Sequence, residues 1–281
     1  MTSLNKTVLH KACACKGIRS CLLCEHVSEK KSESFQTVET FYYCILCADK
    51  AWTIRNHEQH TPENKCLTIN GVFVASDVIS EEEENEIVQQ IDSSPSSQWV
   101  LSQSGRRKQD FGPKVNFKKK ICKIGSFSGI PRYAQSLMKK IREEYSSVMR
   151  DFEPVELCNL EYVPERGSSI DPHLDDTWIW GERLVTLNLL SETSLTLTPV
   201  EEAIDSSRVS ITEIVVVMPA RSLLVLSSDA RYRWFHAIKR EHITARRIAM
   251  TWRELPPNFL PDGEEYESLG KQLLELAKNE I

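Results

Sequence analysis

The second half of the chain is a succession of short segments that favour β-strands, and this pattern restricts the fold more than any other feature of the sequence. The segments are rich in β-branched and aromatic residues, and polar residues, Pro or Gly separate them. The predicted strands are residues 157–163, 183–190, 211–217, 221–226, 231–238 and 246–253. So many short strands in succession are typical of a β-sandwich or jelly roll.

Helices are predicted on both sides of these strands. Ser80 followed by Glu83 forms a capping box that opens a helix. Apolar residues three or four positions apart predict further helices over residues 130–148 and near the C-terminus. We therefore expect an α+β fold, with a jelly-roll core flanked by helices.

The composition of the first 66 residues differs from that of the rest, because they are Cys-rich, polar and weakly periodic. We predict a Cys-rich N-terminal extension over residues 1–66 and a β-rich domain over residues 67–281. Residues 191–210 are rich in Ser, Thr and Glu, and we expect them to form an exposed insertion between two strands.

Charge and hydropathy narrow the classes of function. The formal net charge is -5, which argues mildly against nucleic-acid binding driven by the field of the whole protein. No run approaches the roughly 18–20 apolar residues that cross a bilayer, and the N-terminus resembles no secretory signal. We expect a monomer in the cytoplasm and nucleus, where the nine Cys are thiols or metal ligands before they are disulfides.

The segment IDPHLDDTW suggests a metal site. It contains His173 and Asp175, and the period of two along a strand would point both side chains to one face. A mononuclear iron that activates oxygen is commonly held by two His and one carboxylate on one face, with the other positions open. His236 is the natural third ligand, while His242 is a closer rival than the other histidines but lies in a charged turn. An isolated His-x-Asp, or a lone His in a strand, is more often without metal.

Two arginines in the segment ARRIAMTWRE strengthen this interpretation. Arg247 and Arg253 are six positions apart, so that on a strand they share one face with Ala249 and Thr251. Buried arginines are costly unless they meet carboxylates. A dicarboxylate such as 2-oxoglutarate would supply them. The alternative is a solvated edge strand.

These motifs together resemble the AlkB family of iron- and 2-oxoglutarate-dependent dioxygenases. The resemblance covers roughly residues 70–256 and includes an Arg-Lys-Gln-x-Phe-Gly pattern at residues 107–112. It implies a double-stranded β-helix core, and a demethylase that uses Fe(II), 2-oxoglutarate and O2.

By this resemblance, His173, Asp175 and His236 match the iron ligands. Arg247 matches the arginine that pairs with the distal carboxylate of 2-oxoglutarate. Arg253 matches a second arginine, near the keto-acid end of the cosubstrate and the metal-binding Asp.

The resemblance also implies cosubstrate contacts on an earlier strand. Tyr162 matches a tyrosine that hydrogen-bonds 2-oxoglutarate. The family usually has Asn two residues before that Tyr, whereas this chain has Leu160 there and Asn159 one position further back. Either Asn159 reaches the cosubstrate through a shifted register, or the contact is lost.

A basic stretch over residues 104–120 is a candidate substrate lid. It holds seven cations, one acid and two aromatics, a mixture that suits phosphates and stacked bases. The resemblance places the substrate lid here, with Arg107, Lys108 and Gln109 matching the family pattern. The alternative is a solvated basic surface.

Asp176 lies next to the metal-binding carboxylate and would meet a cationic methyl-lysine. Trp178 and Trp180 share a strand face if this segment is a strand, and they either contact a methylammonium by cation–π attraction or belong to the core. The resemblance implies N-methyl-lysine in actin as substrate, and also N6-methyladenine in DNA. The acidic balance favours a protein substrate, and the alternatives are a demethylase of nucleic acid alone and a non-catalytic interaction module on the same fold.

The cysteines of the extension suggest a structural zinc site. Cys13, Cys15, Cys21 and Cys24 form a dense cluster, and Cys-x2-Cys is a good chelating pair for zinc. Cys44 and Cys47 form a second such pair, so that one zinc held by Cys21, Cys24, Cys44 and Cys47 fits the spacing about as well. Ordinary reduced cysteines are the third interpretation.

Overall fold

The computed structural model describes residues 15, 21–22, 37–93, 99–149, 151–204 and 210–281. Strands and helices follow the predicted division, with most helices on either side of the strand-rich half. The strands are β1 Thr37–Tyr43, β2 Lys50–Trp52, β3 Cys66–Thr68, β4 Val72–Ala75, β5 Val100–Leu101, β6 Arg107–Phe111, β7 Lys114–Asn116, β8 Ile121–Lys123, β9 Pro154–Tyr162, β10 Ile170–His173, β11 Leu184–Leu189, β12 Thr193–Pro199, β13 Ser210–Met218, β14 Ser222–Leu226, β15 Trp234–Ile238 and β16 Arg247–Glu254.

The helices are α1 Glu81–Ser93, α2 Arg132–Glu144, α3 Ser146–Met149, α4 Val200–Ile204, α5 Ser228–Tyr232 and α6 Lys271–Ala277. Short 3-10 turns lie at Ile45–Cys47, His57–Gln59, Pro164–Arg166, Arg240–His242 and Pro257–Phe259, and a π turn at Tyr266–Gly270 precedes α6. Among the residues described, no helix is long and apolar enough to cross a membrane.

Two seven-stranded sheets form the body of the protein. The first sheet has the order β10-β15-β12-β13-β1-β2-β3, and the second has the order β4-β14-β11-β16-β9-β6-β5. Apolar side chains of both sheets meet in one buried cluster, which includes Leu197 and Ile214 from the first sheet and Leu224 and Ala249 from the second. The two sheets therefore face each other, and the predicted double-stranded β-helix within an α+β fold is confirmed.

A second buried cluster lies between the second sheet and the helices. Helix α1 begins with the predicted capping box, in which the Ser80 amide donates to Glu83 and the Glu83 amide donates to Ser80 Oγ at 3.2 Å. Helix α2 buries Leu137 and Ile141 against the sheet. The helices thus cover one face of the second sheet, and its other face is turned toward the first sheet.

The predicted alternation along β16 is present. Ile248, Met250 and Trp252 are fully buried in the cluster on the helix side. Arg247 and Arg253 point the other way, into the interior between the sheets. Because β16 lies between β11 and β9 in the middle of its sheet, the solvated edge strand considered above is excluded.

Two predicted boundaries were wrong. Residues 191–210 are not simply an exposed insertion, because β12 pairs with both β13 and β15 and buries Leu195 and Leu197 in the core. Residue 66 is not a domain boundary, because β1 pairs with β13 in parallel and continues the first sheet through β2 and β3. Both segments are rich in Ser, Thr or Cys, and this composition did not predict strands. Their apolar side chains are buried against strands from distant parts of the chain.

Candidate active site

Three side chains converge at the edge of the first sheet. His173 and His236 are directly paired residues on the antiparallel strands β10 and β15, and their ring centroids are 4.2 Å apart. Strand β10 ends at His173, so that Asp175 lies just beyond the strand instead of on it. Asp175 Oδ1 is nevertheless 3.3 Å from His173 Nε2 and 3.9 Å from His236 Nε2. The structure thus brings the three predicted ligands together.

This donor set fits a mononuclear iron. Neighbouring ligands of an octahedral metal with bonds of about 2.1 Å are about 3.0 Å apart. The distance from Asp175 to His173 is about 0.3 Å longer than this and the distance to His236 about 0.9 Å longer, so that small side-chain movements would bring the three atoms around one ion. His173 Nδ1 lies 2.8 Å from the carbonyl oxygen of Asp171, which holds that ring with Nε2 toward the site. Burial, together with the neighbouring His173, lowers the pKa of His236 to about 3. The His236 imidazole is therefore neutral at pH 7, in the form that binds a metal.

Arg253 connects the metal-binding carboxylate to a second acid. Its Nε donates to Asp175 Oδ2 at 2.6 Å, and its Nη1 donates to Glu156. Burial alone would raise the pKa of Asp175, but Arg253 and the two histidines lower it well below its ordinary value. Asp175 is therefore ionised. The sequence predicted Arg253 as a site residue but not Glu156. Glu156 is recognised as the partner of Arg253 only from the pairing of β9 with β16, in which the two residues lie opposite each other.

Arg247 is a buried cation that pairs with no anion among the described residues. It is 2% exposed, lies opposite Tyr162 in the pairing of β16 with β9, and its guanidinium is 4.8 Å from the Tyr162 ring. Its Nε donates to Asn188 Oδ1, whereas its Nη1 has no hydrogen-bond partner in the described part of the chain. Burial lowers the pKa of Arg247. A carboxylate group is the ligand that such a guanidinium lacks.

Asn188 is a site residue that the sequence did not reveal. Its amide Nδ2 lies 2.7–3.0 Å from the carbonyl oxygens of Ser191, Met218 and Pro219, so that its two hydrogens are shared among three acceptors. These contacts fix the direction of the side chain, with Oδ1 toward Arg247. The guanidinium is therefore held in place before any ligand binds, and no motif in the chain signals this role.

A small cavity of about 70 Å³ joins the two parts of the site. It is lined by all three candidate metal ligands together with Tyr162, Arg247 and apolar side chains of both sheets. A small dicarboxylate in this cavity would meet the metal at one end and Arg247 at the other. The residues present therefore fit both iron and 2-oxoglutarate.

A much larger cleft, of about 990 Å³, lies on the other side of the metal ligands. It shares His173 and Asp175 with the inner cavity, and it is also lined by Asp176, Trp180 and Lys108. The candidate metal site thus separates a small inner cavity from an open cleft. Among the described residues, the cleft offers a large reactant a route to the candidate metal site.

Arg231 supports the loop that carries Asp175. It is 1% exposed, and it donates to the carbonyl oxygens of Asp175, Trp180 and Gly181 at 2.9–3.2 Å. Three carbonyls of one loop are thereby held by a single guanidinium. Sequence reasoning missed this residue, because an arginine in the segment RYRW gives no sign that it is buried.

Of the three predicted lid residues, only Lys108 lines the cleft. Strand β6 alternates, so that Arg107 and Gln109 face away from it. Arg107 pairs with Glu161 and lies 4.4 Å from the ring of Trp99, and Gln109 is buried against α1. The interpretation of Arg107 and Gln109 as substrate contacts is therefore corrected, since both serve the packing of the sheet.

The structure also corrects the interpretation of Asn159. The pleat of β9 turns Asn159 to the face opposite Tyr162, because the two residues are three positions apart. Asn159 donates to Gln109 and to the Tyr133 hydroxyl on the helix side of the sheet. Leu160 lines the inner cavity instead. The Asn contact of the family is therefore replaced here by an apolar wall.

The segment after the metal carboxylate forms a turn, not a strand. The Trp178 indole donates to Asp176 Oδ1 at 3.1 Å, and the ring is partly buried against the helix-side core. Trp180 is 2% exposed, lines the cleft and lies 5.5 Å below the Arg253 guanidinium. Asp176 and Trp180 therefore face the cleft, whereas Trp178 orients Asp176.

The predicted zinc ligands fall partly outside the described residues, since neither Cys13 nor Cys24 is among them. Cys15 and Cys21 are both buried, and Cys15 Sγ accepts a hydrogen bond from the Ser104 amide at 3.2 Å. The zinc set made of these four cysteines stays a prediction.

The double-stranded β-helix, the three candidate iron ligands and the cavity beside Arg247 define a class of protein: a non-haem iron oxygenase with a site for a dicarboxylate cosubstrate. Comparison with known proteins gives the same class. The alpha-ketoglutarate-dependent dioxygenase alkB homolog 4 of Mus musculus is 41% identical over an alignment of 300 positions, which covers 99% of this chain and 97% of the relative. The protein of the same description from Homo sapiens is 42% identical over an alignment of 289 positions, which covers 95% of this chain and 93% of the relative.

A third relative is the DNA N6-methyl adenine demethylase of Caenorhabditis elegans. It is 36% identical over an alignment of 286 positions, which covers 95% of this chain and 94% of the relative. No family model matches the chain. On the strength of these near full-length relatives, the chain belongs to the AlkB family of 2-oxoglutarate (alpha-ketoglutarate)-dependent dioxygenases. The predicted enzyme class and its cofactors, Fe(II), 2-oxoglutarate and O2, are thereby confirmed.

Proposed function

We propose that this dioxygenase removes methyl groups from N-methyl-lysine in proteins, with actin as the candidate substrate that the resemblance implies. The observation that carries the proposal is the position of Asp176. It lines the open cleft next to the metal ligands, accepts a hydrogen bond from Trp178, and forms no ion pair with any described residue. A carboxylate that no described cation pairs with is suited to a methylated ammonium group.

The neighbours of Asp176 leave it as the carboxylate beside the metal ligands that a cationic reactant would meet. Glu156 also lines the cleft, but it is paired with Arg253. Trp180 lines the cleft as well, but it is 2% exposed and the Arg253 guanidinium lies over its ring at 5.5 Å. The attraction for a methylated ammonium group therefore rests on Asp176.

When bound, iron and 2-oxoglutarate supply the oxidation in which an N-methyl group, O2 and 2-oxoglutarate yield formaldehyde, the demethylated amine, succinate and CO2. The protein contributes position and exclusion of water. Arg247 and Tyr162 would hold the cosubstrate in the inner cavity, and Arg253 keeps Asp175 ionised and oriented. Asp176 would place the methyl-bearing nitrogen on the cleft side.

A second candidate is demethylation of N6-methyladenine in DNA. It is supported by the description of the C. elegans relative. The outer part of the cleft also carries Lys108, Lys114 and Phe117, and cations with an aromatic side chain suit a nucleic-acid strand. These residues belong to the predicted basic lid over residues 104–120.

Formaldehyde and succinate release will distinguish these candidates. Methyl-lysine peptides, including actin sequences, are assayed beside oligonucleotides that contain N6-methyladenine. We expect peptide turnover, lowered about tenfold or more by Asp176→Asn, since a charged hydrogen bond contributes about 1.5–3 kcal/mol. The matched control Asp77→Asn changes an exposed carboxylate outside the cleft and should keep full turnover.

Turnover of the oligonucleotide alone would overturn the lysine proposal. In that case Lys114→Ala should lower it more than Lys123→Ala does, because the two lysines are paired on β7 and β8 but only Lys114 lines the cleft. If wild type and His173→Ala release equally little succinate with every substrate, the protein is a non-catalytic module.

A further inference from the structure

A second group of metal-binding side chains lies in the segment that joins β1, β2 and β3. Cys44 precedes the 3-10 turn after β1 and Cys47 is its last residue. His57 is the first residue of the 3-10 turn after β2 and His60 follows it. One ligand atom from each of the four residues lies within 4.8 Å of all the others. This group is separate from the iron site and shares only the two cysteines with the sets discussed above.

The distances between these atoms match a tetrahedral zinc site. His57 Nδ1 is 3.4 Å from Cys44 Sγ and 3.3 Å from Cys47 Sγ, and His60 Nδ1 is 3.2 Å from Cys47 Sγ. With Zn–S of about 2.3 Å and Zn–N of about 2.0–2.1 Å, a tetrahedral zinc separates a sulfur ligand from a nitrogen ligand by about 3.6 Å. The observed separations are shorter by only a few tenths of an ångström.

The surrounding contacts orient the two imidazoles. His60 Nε2 lies 2.9 Å from the carbonyl oxygen of Ile54, so that this nitrogen carries the proton and Nδ1 keeps its lone pair for a metal. The Trp52 ring stacks on His60 with centroids 4.5 Å apart and planes inclined by 11°. The Asn56 side chain caps the turn that carries His57.

The alternative to a metal site is a pair of reduced cysteines that are hydrogen-bonded to the two histidines. That alternative leaves unexplained why both rings present Nδ1 to the same sulfur, and why His60 is held at its other nitrogen and over its face. Two thiols and two imidazoles in a Cys-x2-Cys and His-x2-His arrangement form a complete ligand set, with no position left open for a substrate.

We propose that Cys44, Cys47, His57 and His60 bind a structural zinc ion. The zinc joins the end of β1 to the loop after β2. Strands β2 and β3 have only three residues each, which is short for an independent hairpin. Because β1 pairs with β13 of the first sheet, the zinc would secure the part of the sheet that lies opposite the edge with the iron ligands.

The full-length protein, purified after expression with zinc, should hold about one zinc ion per chain by elemental analysis. X-ray absorption at the zinc edge of this wild-type protein should show two sulfur and two nitrogen ligands. Four sulfur ligands, or a folded protein without zinc, would overturn the assignment. This measurement needs no variant and is therefore independent of folding defects.

Variants then locate the site. The double variant His57→Ala/His60→Ala should lose nearly all zinc. Cys13→Ser/Cys24→Ser, which removes two of the four cysteines in the other predicted set, should keep it. The reverse result would refute the proposal. His173→Ala should lose iron and keep zinc, which separates this test from that of the demethylase.

Discussion

Glu161 is a buried acid that accepts hydrogen bonds from three arginines, and its replacement by Gln is a quantitative test of the structure. Its side chain is 3% exposed and accepts hydrogen bonds from Arg107 of β6, from Arg166 of the turn after β9, and from Arg246 just before β16. One carboxylate thus joins three chain segments around the candidate active site.

The contribution of this cluster follows from the pKa of Glu161. Burial alone would raise it, but the three guanidinium groups lower it to about 2 from the ordinary value of 4.5. A pKa difference of about 2.5, at about 1.36 kcal/mol per pH unit, corresponds to about 3 kcal/mol of folding stability. Because the pKa is lower in the folded state, this stability is present above about pH 4.5 and is lost as the pH falls toward 2.

Urea denaturation of wild type and Glu161→Gln over a pH series measures this effect. The wild type should be more stable at pH 6 by about 3 kcal/mol, since Gln removes the acid with which Arg107 and Arg166 pair, whereas Arg246 keeps its ion pair with Asp92. About 2 kcal/mol of the difference should disappear between pH 6 and pH 3, as the unfolded state takes up a proton that the folded state excludes.

The control Glu165→Gln makes the same change at an exposed position of the turn that carries Arg166. The stability difference between this variant and wild type should be the same at pH 6 and pH 3. If Glu161→Gln does not fold, Arg166→Gln removes one of the three donors and should give the same trend at smaller size. A stability difference that is constant from pH 6 to pH 3 would refute the assignment of a depressed pKa to Glu161.

Three further outcomes are expected at the active site. Arg247→Gln should raise the KM for 2-oxoglutarate about 10- to 100-fold, since a charged hydrogen bond contributes about 1.5–3 kcal/mol; an unchanged KM in succinate assays would exclude its role as the cosubstrate anchor. His236→Ala should abolish stoichiometric iron binding with little change in the circular dichroism spectrum, and full iron occupancy would contradict the proposed ligand set. Arg231→Met should lower stability by about 2–4 kcal/mol, because three buried carbonyls lose their donor, and should weaken iron binding through Asp175; equal iron affinity in both proteins would limit Arg231 to a structural role.

The parts of the site that the sequence predicted are those in which local spacing determines geometry. The six-residue interval between Arg247 and Arg253 places both on one face of any strand. The interval between His173 and Asp175 likewise keeps them close, although the strand ends between them. The capping box at Ser80 is equally local. In each case the relevant partners are a few residues apart.

The errors concern residues whose environment is set by distant segments. Asn159 and Arg107 were assigned to the site by motif, but the face each one occupies depends on the register of β9 and β6. Strand β12 was missed because its burial depends on β13 and β15, on either side. The partners of Glu161 come from three separate segments, and no local pattern records such convergence.

The even spacing of the arginines on β16 makes the length of this strand a constraint of its own. Deletion or insertion of a single residue between positions 247 and 253 would reverse the direction of one guanidinium and drive it in among the helix-side apolar residues. An unpaired charge there would cost several kcal/mol, and the reversed arginine would leave either Asp175 or the inner cavity without its cation. Homologous chains should therefore vary freely in the loops at either end of this strand while keeping the count between the two arginines invariant.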